Sequence, residues 1–588
     1  MVKPLPKLTT LAKIRLGFWI FGVFIALVQM MRYRYSLSSE DIISYLDVAD
    51  YYVAGDWANA INGNWSPLYS WIFALFFWIF QPSGAWEFPL VKLVNFLIFL
   101  FAFASFDFFL REFVQYAKRF STTRLKRPFL IPEWVWFCLG YTLFLFTSLV
   151  WLGIYCDTPD MLTVGLVYLA AGLILNITRQ PDNWLTFIGL GVVLGFGYFS
   201  KAVMFPLAFV FFTVALVSVG NLRRALPRIL VAFCVFLLVI SPYVGALSLK
   251  KGKLTFSETG KLSYIWFVHP TWRVIPDQFW QGEPPEFGTP KHPLRKLTER
   301  PALYEFAEPI GGTFPLWTDP SYWYEGIIAK FNLKAIVRIM ILNLLYYYKA
   351  FLGILLFSYL VFLLWSQRPW QGVRDLTAGW QLLLPAIAGL GAYLVATDFH
   401  ANTMTHQLPL RFLASFVVLL FAGVFATIQL PKLRSTRIVM TSLTIATVVA
   451  VGLQLLAPTL KEALEIVTER QENLHWQVAT EMQQVGVQPG GRVAIFGLED
   501  EHVYWARLAR TKIVAQLEET DQFWASDAPV RAEILQAAAK AGASAVVHKG
   551  KPLRLEDLPQ WQPLGDTGYY AHRLGSAQAV SDSGQPSM

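Results

Sequence analysis

The chain has few charged residues for its size. Of its 588 residues 15% are charged, whereas 55% are hydrophobic and 16% are aromatic. Soluble globular proteins carry about 25% charged residues, because water must solvate their surface. This composition excludes a soluble protein and indicates a chain largely surrounded by lipid.

Cysteine is scarce too, and the common catalytic motifs are missing. The three cysteines, Cys138, Cys156 and Cys234, lie in or beside apolar segments, which excludes a disulfide framework and a CxxC metal site. The sequence contains no P-loop, HExxH, GxSxG or dinucleotide fingerprint. The net charge of +9 comes in short basic runs between apolar runs. That pattern is typical of the positive-inside rule and not of nucleic-acid binding.

About eleven apolar stretches have the length and low charge of membrane spans. Their approximate bounds are 16–31, 91–110, 129–152, 161–176, 184–200, 202–219, 229–249, 351–365, 378–396, 408–430 and 439–457. The first has no cleavage site behind it and is interpreted as a retained anchor.

Basic residues before the first span and in the 118–127 loop predict a cytoplasmic N-terminus. If the apolar run 66–80 crossed the membrane, the basic 118–127 loop would lie outside instead of in the cytoplasm. The run has only about 15 residues and its helix can start at Pro67, so we predict a helix lying in the outer interface.

The fold class predicted is mainly α, a polytopic membrane protein with about 11 transmembrane helices. Residues 1–459 form the transmembrane domain, with large extracytoplasmic loops at 32–90 and 250–332. In residues 460–575, strand-like runs such as RVAIFG alternate with helical ones, which predicts a small extracytoplasmic α/β domain. We expect this domain to dock the acceptor or a partner. Residues 576–588 are predicted to be a disordered tail.

The first outside loop is rich in acids. Glu40, Asp41, Asp47, Asp50 and Asp56 lie within seventeen residues. A helix beginning near Glu40 puts Asp41 at its positive end and Asp47 and Asp50 on one face. For most of these acids we expect a solvated helix face.

The order DIISYLDVA, GDW, NG and PLYSW resembles the first periplasmic loop of the GT-C glycosyltransferases, especially the family of aminoarabinose transferases and protein O-mannosyltransferases. The resemblance implies a GT-C-like transmembrane fold. It aligns Asp41 with the family's catalytic acid, Tyr45 with its tyrosine and Tyr69 with its PLYYW element. Two features depart from the family: Ile42 replaces its second acid, and the lysine before its prolines is absent.

Two further segments resemble the same family. Asp157 and Asp160 precede an apolar span as its second-loop acid does, and GFGYFSK, ending at Lys201, resembles its GLxxLTKG element. Asp160 is a candidate catalytic residue with Asp41: it can orient the acceptor or the donor, or bind a divalent metal with Asp41, and it can also simply cap its helix. Lys201 and Arg411 are candidates for binding the donor phosphate, although a lysine at a helix end can also snorkel to headgroups.

Aromatic and polar residues outside the membrane suggest substrate contacts, although aromatic residues are also enriched at membrane interfaces without any ligand. The candidate substrate-binding residues are Tyr45, Tyr69, Asp157, His269, Glu305 and Tyr322.

Together these observations predict an integral membrane glycosyltransferase, which transfers a sugar from a polyprenyl-phosphate-linked donor to an extracytoplasmic lipid, glycan or protein. A polysaccharide ligase or polymerase and a lipid-linked glycan transporter are the alternatives. Asp107 is the main acid well inside a predicted span, and most others lie outside, which favours surface chemistry over transport. The predicted location is the bacterial inner membrane, with the active site and C-terminal domain outside. We expect membrane lipid and no nucleic acid among its partners.

Overall fold

The structure is a computed structural model that describes residues 9–124, 130–268, 279, 281, 287–366, 369–399, 409–428, 430–550 and 560–575. His269 and the predicted tail lie outside this part of the chain. The first eleven α-helices are α1 (Thr10–Arg32), α2 (Asp41–Ala54), α3 (Trp57–Ala60), α4 (Pro67–Phe80), α5 (Gly84–Arg124), α6 (Glu133–Phe146), α7 (Asp160–Arg179), α8 (Trp184–Ser200), α9 (Met204–Ser218), α10 (Leu222–Lys251) and α11 (Thr259–Ser263).

The described part of the second half of the chain contains twelve more. They are α12 (Pro315–Thr318), α13 (Pro320–Trp323), α14 (Leu333–Tyr347), α15 (Gly353–Trp365), α16 (Pro369–Leu376), α17 (Trp380–Ala396), α18 (Ala414–Phe425), α19 (Arg434–Thr468), α20 (Leu474–Gln484), α21 (Val503–Leu508), α22 (Thr520–Ala525) and α23 (Ala528–Lys540). A π-helical turn, Tyr348–Leu352, joins α14 to α15.

Eight helical segments in the described chain are long and apolar enough to cross a membrane, judged by length and composition. They contain α1, α5, α6, α7, α10, α14 with α15, α17 and α19. The shorter apolar helices are α4, α8, α9 and α18. Each of the eleven predicted spans coincides with one of these helices, so the mainly α, polytopic membrane fold is confirmed. Helix α4 is the additional one; it has 14 residues, and its interfacial position stays a prediction.

Ion pairs join neighbouring helices near each end of the bundle. At one end Arg179, at the end of α7, pairs with Glu112 of α5 at 2.8 Å. At the other end Arg32, at the end of α1, pairs with Glu465 of α19 at 2.8 Å. Helices α2 and α4 and the starts of α5 and α7 lie at this second end, which also carries the C-terminal sheet. Which end faces the cytoplasm stays a prediction from the basic loops.

Seven strands form one sheet with the order β1-β2-β4-β3-β5-β7-β6. They are β1 (Arg295–Glu299), β2 (Ala302–Glu305), β3 (Arg492–Phe496), β4 (Lys512–Leu517), β5 (Ala545–Lys549), β6 (Gln562–Pro563) and β7 (Tyr569–Arg573). Strand β3 runs parallel to β4 and β5. A small α/β region at the C-terminus is therefore confirmed.

The second outside loop contributes two strands to this sheet, which we did not predict. Strand β2 pairs antiparallel with β4, so that Glu305 lies opposite Ala515. The predicted boundary at residue 460 therefore separates strands that belong to one sheet.

We predict that the two ends of the bundle face opposite sides of the membrane. In a cysteine-free background, Ser83→Cys, exposed before α5, should react with a membrane-impermeant maleimide added to intact cells. Arg223→Cys, exposed at the opposite end, should react only after the cells are opened. The reverse labelling pattern would overturn the orientation.

Candidate functional site

Helix α2 begins at Asp41, at the end of the bundle that carries the sheet. The Ser39 hydroxyl accepts a hydrogen bond from the Asp41 amide at 3.3 Å. One residue earlier, Ser38 makes two bonds with Asp157: its amide donates to the carboxylate at 2.8 Å, and its hydroxyl accepts from the Asp157 amide at 2.9 Å. These contacts fix the start of α2 against the loop before α7.

Asp157 is fully buried within a polar network. Lys92 Nζ lies 2.7 Å from both of its carboxylate oxygens, and Asn95 Nδ2 donates to one of them at 2.8 Å. The Tyr69 hydroxyl in turn donates to Asn95 Oδ1 at 2.7 Å. Because both Asp157 oxygens are occupied by protein donors, the contacts indicate that Asp157 and Tyr69 position this loop. Their predicted substrate contacts are untested.

Asp160, the first residue of α7, brings two cations together. The Lys201 ammonium contacts one of its oxygens, and Arg411 Nε lies 3.4 Å from the other. The Thr158 hydroxyl donates to the same carboxylate at 2.7 Å. Lys201 Nζ also lies 4.2 Å from the ring centre of Phe412. Three predicted site residues from distant segments therefore meet at one point.

Arg411 is buried with most of its donors unused. Its only hydrogen bond in the described chain is a long one, 3.9 Å from Nη1 to the Cys156 sulfur. Its Nε is buried and has no hydrogen-bond partner there. A buried guanidinium whose donors are unsatisfied is a site for an anion, since planar N–H forks match phosphate oxygens.

Asp41 lies beside this cluster without an ion pair of its own among the described residues. Burial raises the pKa of the Asp41 carboxyl, and the charges of Arg411 and Lys201 oppose that rise. The positive end of the helix favours the ionised form of this carboxylate, whereas burial favours the protonated form. Next to it, burial and the charge of Asp41 raise the pKa of Glu40 to about 7. A carboxylate with a raised pKa is a better proton acceptor.

The structure brings Tyr45 to this cluster and places two other candidates elsewhere. Tyr45 is buried, feels the charges of Asp41 and Asp160, and has its ring 5.2 Å from that of Tyr69. Glu305 lies on β2 and pairs with Arg295 of β1. Tyr322 stacks on His292 at 3.7 Å. The side-chain contacts described here, Glu305 with Arg295 and Tyr322 with His292, thus lie within the second loop, and the predicted roles of Glu305 and Tyr322 are untested.

The predicted solvated position of Asp47 is wrong. Asp47 is 4% exposed, and its carboxylate accepts from the Thr313 amide at 2.7 Å and from Arg507 at 2.8 Å. Burial raises the pKa of Asp47, which Arg507 opposes. The helix pattern of the first loop contains no sign of this pairing, because Arg507 lies some 460 residues further along the chain.

Arg507 of α21 joins three segments, and sequence reasoning missed it. It is 3% exposed. Besides Asp47, it pairs with Asp50 at 2.5 Å and with Glu87, at the start of α5, at 2.6 Å. Arg510 contacts Glu87 as well. The C-terminal domain is thereby attached to the helix that carries Asp41.

An apolar cavity of about 440 Å³ lies between α4, α5, α7 and α8. Its lining includes Leu162, in the first turn of α7, and Phe196, in the last two turns of α8. These helices carry Asp160 and Lys201 at the ends nearest the cavity. The cavity therefore lies between helices whose ends carry residues of the charged cluster.

The residues do not favour a metal ion between Asp41 and Asp160. Both Asp160 oxygens face Lys201 or Arg411, which would repel a cation at that carboxylate. Within the described ranges there is no group of three histidine, cysteine, aspartate or glutamate side chains able to bind one.

No protein-family model and no curated protein matches this chain. Among solved structures, it is similar to ArnT from Cupriavidus metallidurans bound to undecaprenyl phosphate, with 13% identity and a TM-score of 0.41 over 97% of this chain and 99% of that one. It is also similar to the apo oligosaccharyltransferase of Archaeoglobus fulgidus, with 12% identity and a TM-score of 0.45 over 92% and 69% of the two chains.

Both of these proteins are members of the GT-C superfamily, the superfamily that the first outside loop resembles.

We predict that Glu40 makes stability depend on pH. Its folded pKa of about 7 exceeds the ordinary 4.5, so between these values the folded protein binds more protons and loses stability as pH rises. Glu40→Gln should therefore raise the thermal midpoint relative to wild type at about pH 8, and not at about pH 4.5. Glu469→Gln, on an exposed residue, should show no such difference.

We also predict that Arg507→Met strongly destabilises the protein. It leaves the buried carboxylates of Asp47 and Glu87 without this partner, which costs about 3–5 kcal/mol. The matched variant is Arg492→Met, because Arg492 pairs with Glu308 at the exposed surface at 2.6 Å; it should cost about 0–1 kcal/mol. Equal thermal midpoints for the two variants would contradict a structural role for Arg507.

Proposed function

We propose that the chain is a membrane glycosyltransferase of the GT-C type, which transfers a sugar from a polyprenyl-phosphate-linked donor to an extracytoplasmic acceptor. The observation that carries the proposal is the buried, unsatisfied Arg411. It meets Lys201 on Asp160, beside the carboxylate of Asp41, which has no ion pair among the described residues. An anion site and a proton acceptor thus lie together at one end of a helix bundle.

Lys201 and Arg411 bind the donor phosphate in this proposal. They face Asp160 from different sides, so Asp160 keeps both cations in place and limits their repulsion. Negative charge grows on the phosphate oxygen as the bond to the sugar breaks. Cations fixed in advance at that point stabilise the transition state without rearranging.

Asp41 accepts the proton of the acceptor. The acceptor oxygen attacks the anomeric carbon, the bond from that carbon to the phosphate oxygen breaks, and its electron pair leaves with the phosphate. The acceptor hydroxyl proton moves to Asp41, whose pKa is raised by burial, which makes the carboxylate a better proton acceptor.

The apolar cavity receives the start of the lipid chain. It lies between α7, which begins at Asp160, and α8, which Lys201 follows, and has an almost entirely apolar lining. A polyprenyl chain attached to a phosphate at this cluster can enter it while its sugar stays at the surface. The basic loops at the opposite end support an extracytoplasmic site in a bacterial inner membrane.

A transporter is less well supported. Transporters use charges at mid-membrane as substrate or proton sites. The main intramembrane acid here, Asp107, is already paired with Arg15 at 2.7 Å and accepts a hydrogen bond from Tyr141. These contacts neutralise Asp107 and leave it no clear role in transport.

We predict that Asp41→Asn lowers the transfer rate by about 100-fold or more and largely preserves donor binding, because the shape stays and proton acceptance is lost. Lys201→Ala should weaken donor binding instead. Purified variants would be incubated with a lipid extract of the source cells, and mass spectrometry would follow the glycolipid consumed in a single turnover.

Asp182→Asn is the control for this test, because Asp182 is an exposed acid at the opposite end of the bundle. It should transfer at the wild-type rate. Near-normal transfer by Asp41→Asn would rule out the mechanism.

A further inference from the structure

One aromatic ring contacts both cations of the proposed phosphate site. Phe412 follows Arg411 directly and ends the 3₁₀ turn Pro409–Phe412 that precedes α18. Lys201 Nζ lies over the ring at 4.2 Å from its centre, and the guanidinium carbon of Arg411 lies over it at 4.9 Å. A cation within about 6 Å of a ring centre is attracted by the partial negative charge of the ring face. Phe412 therefore attracts Lys201 and Arg411 at the same time.

Tyr393, in the last turn of α17, supports this ring. Its own ring stacks on that of Phe412, with the centres 5.4 Å apart and the planes 14° from parallel. Tyr393 is buried, and its ring centre lies 5.9 Å from Lys201 Nζ. Two stacked rings from separate segments thus lie beside the Lys201 ammonium, and the stacking fixes how the Phe412 face is presented.

The two cations need attraction beyond what their shared carboxylate gives. Both pair with Asp160. Burial lowers the pKa of Lys201, the charge of Asp160 opposes this change, and the charge of Arg411 adds to it. The ammonium has lost much of its hydration and lies near a guanidinium that repels it. A further attraction therefore helps Lys201 to stay charged and in place.

An aromatic ring provides this attraction without competing with a phosphate. A second carboxylate would occupy the N–H groups of the cations, and its negative charge would repel the incoming anion. A ring face carries no net charge and leaves N–H groups available for phosphate oxygens. Arg411 Nε, which has no hydrogen-bond partner in the described chain, is such a group.

We propose that Phe412 is a positioning residue, which holds Lys201 and Arg411 in the arrangement that receives the donor phosphate. The ring contributes to affinity because it orders the empty site. Without it the two long side chains reach other rotamers, and binding has to reverse that disorder. Assigning the anion to the glycosyl donor rests on the proposed function; the contact of the ring with two cations does not.

Fluorinated phenylalanines in place of Phe412 test the inference, because each fluorine weakens the negative charge of the ring face and hardly changes its shape. The full chain with mono-, di- or trifluorophenylalanine there is placed in lipid nanodiscs. Calorimetric titration with geranyl phosphate, using empty nanodiscs as the blank, measures its affinity. The affinity should fall with each added fluorine, by about tenfold over the series. The affinity for geraniol, which has no phosphate, should stay constant.

Phe416 is the matched control position. It is buried one turn further along, in α18, and its ring centre lies 6.4 Å from that of Tyr393. No contact in the described chain places a cation over this ring. The same fluorinated series at Phe416 should therefore bind geranyl phosphate like wild type.

Lys201→Ala gives a second control. It should bind geranyl phosphate more weakly than wild type and should respond less to fluorination of Phe412, because Arg411 is then the remaining cation over the ring. Phe412→Leu keeps an apolar side chain without a ring face, so its affinity should resemble that of the trifluorinated protein.

Three results would overturn the inference. The first is a wild type that does not bind geranyl phosphate. The second is equal affinity throughout the fluorinated series at Phe412. The third is an equal loss of affinity in the series at Phe416, because the effect would then come from packing and not from the cations.

Sugar transfer by the same proteins separates this inference from the proposed function. Binding that depends on fluorination, in a wild-type chain that transfers no sugar, supports the role of Phe412 and contradicts the glycosyltransferase. Transfer that depends on Asp41, together with binding that does not respond to fluorination, contradicts the role of Phe412 alone.

Discussion

Buried charge at one end of the helix bundle is the constraint on which the rest of the structure depends. A charged group removed from water needs a partner of opposite sign, and losing one partner costs more than the pair contributes. Lys92 with Asp157, Lys201 and Arg411 with Asp160, and Arg507 with Asp47 and Glu87 meet this requirement. Each set joins segments that are distant in the chain. The same ion pairs that neutralise charge therefore also fix the positions of α2, α5 and α7 relative to one another.

The residues that hold the site in place differ from the residues that are proposed to react. Asp157 and Asp47 have their oxygens occupied by protein donors, so they hold the loop and the helix on either side of Asp41. Among the described residues, Asp41 has no ion pair and Arg411 Nε has no hydrogen-bond partner. The surrounding network has its hydrogen bonds made within the protein, whereas the groups at the centre of the site do not. Such a site is already arranged for a reacting substrate and needs little reorganisation when charge moves.

Local sequence predicted the parts of the structure that depend on local physics. Hydropathy located the helices because lipid imposes a length and an apolar surface on each. Family motifs indicated Asp41, Asp160 and Lys201, and a basic residue at the start of a predicted span indicated Arg411. The pairing of Asp47 with Arg507 and of β2 with β4 could not be predicted, because each joins residues about 200 to 460 positions apart and leaves no periodic pattern in either segment. The same reason explains why Asp47 was expected to be solvated.

The strands of the shared sheet are synthesised at different times, so the sheet can be completed only after the end of the chain has been made. Strand β2 is translated long before β4, its partner on the other side from β1. Until the last part of the chain leaves the ribosome, one edge of the β1–β2 hairpin is open and α2 lacks its Arg507 contact. Open strand edges invite pairing with other chains. A polypeptide that stops after its last membrane helix is thus an inserted but unfinished protein, recognisable to quality-control proteases by its exposed hairpin.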